Sequence, residues 1–154
     1  MEKNITAAMG KAAENTLQQL FDCRVQKILQ KPITADQQHL DEFSCFIGFT
    51  GSYNGLFVLK CSKQTALKNG ACMLGGEVSA AEALDAAGEI LNIITGAVKK
   101  YLHKEQNPFT ITPPALISGR ESTIRVPRIE TYSIISYKFN IALSGNVYIE
   151  LFYK

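Results

Sequence analysis

The residues best able to do chemistry lie in the stretch Asp85-Ala-Ala-Gly-Glu-Ile-Leu-Asn-Ile-Ile-Thr-Gly96. At about 100° per helical residue, Asp85, Glu89, Asn92 and Gly96 fall within an arc of roughly 60°. Gly88 and Ala81 flank that arc with nothing long enough to shield it, while Leu84, Ala87, Ile90, Leu91, Ile94, Val98, Tyr101 and Leu102 make up the apolar side. A solvated helix face ordinarily carries long helix-forming side chains, and each glycine costs about 1 kcal/mol relative to alanine. The pattern therefore predicts that something approaches this helix closely. An amide held on a helix can orient an attacking water without serving as acid or base, and a carboxylate one turn earlier can pair with a cation on a partner. Neither makes a self-sufficient active site, so the electrophile must come from the partner. The competing reading is a polar seam that hydrogen-bonds a neighbouring element.

The element that must position these residues begins at Ser79-Ala-Ala-Glu82, a capping-box spacing, and is expected to run to about Lys104. Upstream, Ile5 to about Gln30 reads as one amphipathic helix broken at Lys31-Pro-Ile33. Phe43–Thr50, a turn containing Gly51 and Gly55, and Leu56–Cys61 read as a β-hairpin. Ser62 can cap a helix from Lys63 to about Leu74, ended by Gly75-Gly76. After Pro108 the chain reads as strand at Phe109–Thr112, Ala115–Ile117, Thr131–Leu143 and Val147–Tyr153, with a last turn at Ser144-Gly-Asn146. Alternation in Ile134–Ile141 implies one covered and one partly polar sheet face. The expectation is a single α+β domain over residues 1–154, an antiparallel sheet with helices packed on one face. The segments 46–59 and 139–151 echo one another as strand, glycine turn, strand; shared hairpin grammar and duplication both account for that.

Composition excludes several functions. The apolar fraction of 46% and charged fraction of 19% are those of a globular protein, and a net charge of +2 gives no case for nucleic acid or an anionic membrane. No run reaches the ~18 apolar residues a membrane helix needs, and the N-terminus has no apolar leader, so a cytoplasmic location is expected. Cys23, Cys45, Cys61 and Cys72 have no zinc-like spacing and read as small buried thiols in a reducing compartment. His39 and His103 lie in polar surroundings and read as surface residues; an enzyme built on either is a minor alternative. The glycines give no phosphate-loop pattern, and no nucleophile elbow is present. Tyr101, Tyr132, Tyr137 and Tyr148 are better explained by strand propensity and core burial than by base stacking.

The pattern Asp85-xxx-Glu89-xx-Asn92-xxx-Gly96, with Gly88 and the apolar pairs that follow, resembles the signature of the CheX/CheC-type chemotaxis phosphatases. Gly48-Phe-Thr-Gly51, Gly55-Leu-Phe-Val58 and Met73-Leu-Gly75 are similar to that family's first hairpin and to the turn before its long helix. One motif, not two, resembles the CheX branch. The resemblance implies a phosphatase acting on the aspartyl phosphate of a CheY-type response-regulator receiver. It implies that Glu89 pairs with the receiver's active-site lysine and that Asn92 positions the attacking water. Gly88 and Gly96 would let the receiver approach, with Asp85 in a supporting role. It further implies no cofactor of the chain's own, Mg²⁺ supplied by the receiver, and a homodimer. The alternative from a different class is a non-catalytic receiver-binding or flagellar-switch-like interaction module.

Overall fold

A reciprocal cap starts the long helix. Ser79 Oγ accepts the Glu82 N–H at 3.1 Å, and Glu82 Oε1 accepts the Ser79 N–H at 3.1 Å. Those bonds hold the Glu82 carboxyl below its usual range, the backbone N–H of Ser79 contributing most. From there the helix runs unbroken over Ala80–Lys104, with His103 and Lys104 in its last turn, where cations suit the helix dipole.

The computed structural model describes residues 2–22, 24–32, 37–39, 42–119, 123–125 and 128–154. In chain order the elements are α1 (Glu2–Phe21), β1 (Val25–Pro32), β2 (Gln37–His39), β3 (Phe43–Gly51), β4 (Gly55–Cys61), α2 (Lys63–Leu74), α3 (Ala80–Lys104), β5 (Phe109–Ile111), β6 (Ala115–Ser118), β7 (Thr123–Arg125), a 3₁₀ turn at Ile129–Thr131, β8 (Ser133–Ile141) and β9 (Gly145–Tyr153). A seven-stranded antiparallel sheet has the order β1-β8-β9-β4-β3-β5, with β6 also on β3, and β2 pairs β7 separately. The α+β expectation holds.

The first helix is shorter than its periodicity predicts. It stops at Phe21; Asp22 takes a left-handed φ of 43°, and Val25–Pro32 continues as an outer strand on β8. Val25 and Ile28 suit helical spacing, yet the strand laid on β8 decides their conformation, with Val25 paired to Ile141 and Ile28 at a bulge between Lys27 and Leu29, a tertiary contact overriding local propensity. The α2 boundaries agree with the sequence: Ser62 Oγ accepts from the Thr65 N–H, and Gly75 closes the helix at φ 78°. The last turn falls earlier than expected, at residues 142–144, with Gly145 opening β9 at φ 120°.

Alternation sorts the sheet. Inward-facing Cys45, Ile47, Phe57, Phe139, Ile149 and Leu151 join the apolar sides of the helices in one core. The outward row carries a smaller cluster of Phe46, Val58, Ile134 and Phe152, together with the Lys60–Glu150 ion pair and the Asn140–Asn146 side-chain hydrogen bond of 3.0 Å. The echoing hairpins β3–β4 and β8–β9 meet through their second strands, from Gly55↔Tyr153 to Cys61↔Val147. Each hairpin's first strand then receives an outer strand from the other half of the chain.

Burial corrects two expectations. Cys45 and Cys61 are buried, but Cys72 is exposed on α2, and Cys23 lies outside the described residues. Tyr137 is in the core, whereas Tyr101 is a helical residue that keeps 47% of its surface exposed.

Candidate functional site

Helix α3 buries Ile90, Leu91, Ile94, Val98 and Leu102 against the sheet, which fixes its rotation and leaves the opposite side to solvent. Asp85 and Glu89 are exposed there, and Asn92 and Gly96 are half-buried. Glu89 and Asn92, three residues apart, have Cβ atoms about 5–6 Å apart on one helix face. Among the described residues, neither the Glu89 carboxylate nor the Asn92 carboxamide has a hydrogen-bonding or ionic partner; the Asn92 backbone carbonyl accepts the Thr95 hydroxyl at 3.1 Å. A polar seam finds no support among the described residues, none of which takes up these groups. Thr95, fully buried, braces the turn that carries Asn92.

The two glycines of the motif differ. Around Gly96 nothing lies within 4 Å of where a Cβ would stand. Gly88 is expected from sequence to be open ground for a partner; the structure buries it beneath β6, where an added Cβ would meet Leu116 Cδ2 at 2.6 Å. Its missing side chain is already filled by the chain's own strand, so Gly96 alone remains open to an approaching surface. Charge is graded along the outer side of α3, with Glu82, Asp85 and Glu89 in its first half and Lys99, Lys100 and Lys104 in its second.

No set of three His, Cys, Asp or Glu that could hold a metal ion occurs among the described residues. His103 is exposed in the last turn of α3, and nothing among the described residues pairs it with a nucleophile. The arrangement offers a fixed amide and a fixed carboxylate to whatever docks on α3. Sequence reasoning assigned no role to Ile93 or Leu116. Ile93 follows Glu89 by four residues, a spacing that marks it as part of the same face, and it is 38% exposed.

Residues 43–138, from the start of β3 to the sixth residue of β8, match the family described as chemotaxis phosphatase CheX. The chain belongs to the CheX family. A CheX described as a CheY-P phosphatase, from Thermotoga maritima, is 37% identical over 82 residues, 51% of this chain and 53% of that protein, so the match spans about half of its relative's length. The crystal structure of the chemotaxis protein CheX from Desulfovibrio desulfuricans superposes with a TM-score of 0.84 at 23% identity, covering 97% of this chain and 99% of the other. CheX in the CheX–CheY–BeF3–Mg²⁺ complex from Borrelia burgdorferi has the same fold, with a TM-score of 0.77, 19% identity and 97% of both chains covered. No helix among the described residues is long and apolar enough to cross a membrane.

Proposed function

We propose that this member of the CheX family hydrolyses the aspartyl phosphate of a CheY-type receiver domain, with Asn92 orienting the water and Glu89 pairing with the receiver's active-site lysine. The observation that carries the reading is the pair Glu89 and Asn92, whose side chains have no partner among the described residues, on a helix face held in place by a fully buried opposite side. The Thermotoga relative's description as a CheY-P phosphatase supports it.

The chemistry suits so small a constellation. The receiver brings the phosphorylated aspartate and its Mg²⁺. Water attacks phosphorus opposite the acyl oxygen, the phosphorus–oxygen bond to aspartate breaks, and the aspartate carboxylate and inorganic phosphate are released. Phosphoryl transfer depends mainly on positioning and electrostatics, so holding the water in line accelerates a reaction the receiver already supports. The Asn92 carbonyl oxygen accepts a hydrogen bond from that water, and the Glu89 carboxylate fixes the lysine across the interface. Asp85 adds negative charge one turn before Glu89, and Gly96 leaves room for the receiver's backbone. The chain holds no cofactor of its own on this reading, acts in the cytoplasm and works as a homodimer; β1, at one end of the sheet order, offers an edge for pairing.

Decay of receiver phosphate with and without the protein tests the proposal. Asn92→Ala is expected to lower the acceleration on the order of 10²-fold or more, with an unchanged melting temperature because the side chain makes no bond among the described residues. Binding to the receiver with no change in phosphate lifetime would replace the phosphatase with the non-catalytic docking module.

A further inference from the structure

The motif sits between two soft points of α3. Gly88 immediately precedes Glu89, Gly96 follows Asn92 by four residues, and each glycine weakens the helix where reactive groups must be held still. Each is offset by a residue outside the motif. At Gly88 the brace is Leu116, whose Cδ2 stands 2.6 Å from the place a Cβ would take. Leu116 is itself anchored, since it pairs with Cys45 on β3. Just upstream, the Thr112 N–H donates to the Gly48 carbonyl at 2.9 Å, and Thr112 Oγ1 accepts the Gly48 N–H at 2.9 Å. At Gly96 the brace is Thr95, among the described residues the only buried one of α3 with a polar side chain. Its hydroxyl donates at 3.1 Å to the Asn92 carbonyl, which in an α-helix also takes the Gly96 N–H. Thr95 follows Gly88 by seven residues, so the two lie about 20° apart on one side of α3, with Asn92 between them along the axis.

We propose that Thr95 and Leu116 are positioning residues for receiver dephosphorylation, acting through α3 to fix the turns that present Asn92 and Glu89. The inference rests on the receiver-phosphatase reading and deepens it by naming residues outside the motif that set its rate. A hydroxyl is a costly choice at that spot. The rest of the buried side of α3 is Ala, Gly, Ile, Leu and Val, and a valine would fill the same space without a polar atom to satisfy. A buried threonine must bond its hydroxyl, and the carbonyl it reaches belongs to the residue whose side chain orients the water. Leu116 adds a knob from the sheet, seated in the Gly88 notch, that resists sliding or rotation of the helix beside Glu89. In-line attack tolerates little error, and a displacement of about 1 Å can cost about 10²-fold in rate. A docked receiver can follow a slightly displaced helix, so the braces bear on kcat more than on KM.

Steady-state dephosphorylation across a range of phospho-receiver concentrations, paired with thermal melts, tests this with two substitutions at one position. Thr95→Val exchanges the hydroxyl for a methyl. The variant should melt at or above the parent's temperature, with kcat lowered about threefold to tenfold and KM within about twofold. Thr95→Ser keeps the hydroxyl and deletes a buried methyl, so melting should fall while kcat per folded molecule stays within about twofold. A threonine that only fills the core predicts the parent's kcat in the valine variant. Leu116→Ala should lower kcat about tenfold, and Leu116→Met, of similar volume, should recover most of it. Val147→Ala, a truncation buried on β9, should lower stability and leave kcat per folded molecule alone. In the Asn92→Ala background Thr95→Val should slow turnover no further, because the hydroxyl acts through that residue. Parental kcat in both Thr95→Val and Leu116→Ala, or a Thr95→Val loss that adds in full to that of Asn92→Ala, overturns the positioning role, and continued dependence on Asn92 keeps the phosphatase reading. Receiver phosphate whose decay the protein does not alter removes both.

Discussion

The outer face of the sheet and the outer face of α3 both carry polar side chains, yet they treat them in opposite ways. On the sheet, Lys60 and Glu150 are paired across neighbouring strands, Asn140 binds Asn146, and Lys138 lies 5.8 Å from the centre of the Tyr148 ring. On α3, Glu89 and Asn92 are held rigidly and given nothing to bind among the described residues. A satisfied polar group stabilises the fold that contains it. A surface group without a protein partner is satisfied by water and stays free to meet another surface.

The largest effect expected from breaking this contrast is on the sheet. Lys60→Met leaves the Glu150 carboxylate, 4% exposed, without its partner. The cost should be about 3–5 kcal/mol in chemical denaturation, with activity per folded molecule retained, and Glu150→Leu added to it should restore much of the loss. Asn92→Ala on α3 is the mirror experiment, in which stability is kept and turnover lost. Equal stability losses in the two variants would dissolve the distinction.

A smaller pair of effects sets one glycine against another. Gly88→Leu must displace Leu116 and loosen β6, at about 1–3 kcal/mol. Gly96→Ala meets open space and should gain up to about 1 kcal/mol from helix propensity while slowing receiver turnover. Thermal melts and a phosphate-release assay on both variants decide this, and a Gly96→Ala protein with full activity would remove the close-approach role. The smallest effect near neutrality comes from the inner face. Burial pushes the Cys45 thiol from 9.0 up to about 12, and burial, with the neighbouring Tyr153, pushes the Tyr137 phenol from 10.0 up to about 12. In the unfolded chain both groups release their protons at lower pH than in the folded protein. Stability should therefore be independent of these two groups below about pH 9 and fall as pH rises from 9 to 12. Denaturation midpoints measured across that window, beside a Cys45→Ala variant with a shallower decline, check the assignment.

The sequence carried most of this where its signals were local. The Ser79–Glu82 box and the Ser62 and Gly75 caps mark helix ends through bonds within a few residues, and each reappears in the structure. Alternation in β8 gave both sheet faces correctly. What failed depended on distant partners. Val25 and Ile28 fit a helix until β8 claims them, Gly88 looks open until Leu116 covers it, and Tyr101 looks buried although a groove beside it leaves it exposed. The motif residues themselves were legible because a carboxylate, an amide and glycines are poor choices for an ordinary solvated helix.

The pairing of β1 with β8 also has a consequence in time. Thr6 in α1 accepts the Tyr137 hydroxyl at 2.6 Å from 131 positions further along, and Val25–Pro32 waits for Ile135–Ile141 before it has a strand to join. A ribosome therefore releases the first helix and strand long before their binding surface exists. The nascent chain must carry an unpaired strand until β8 has been made, and closing that pair is a long-range step.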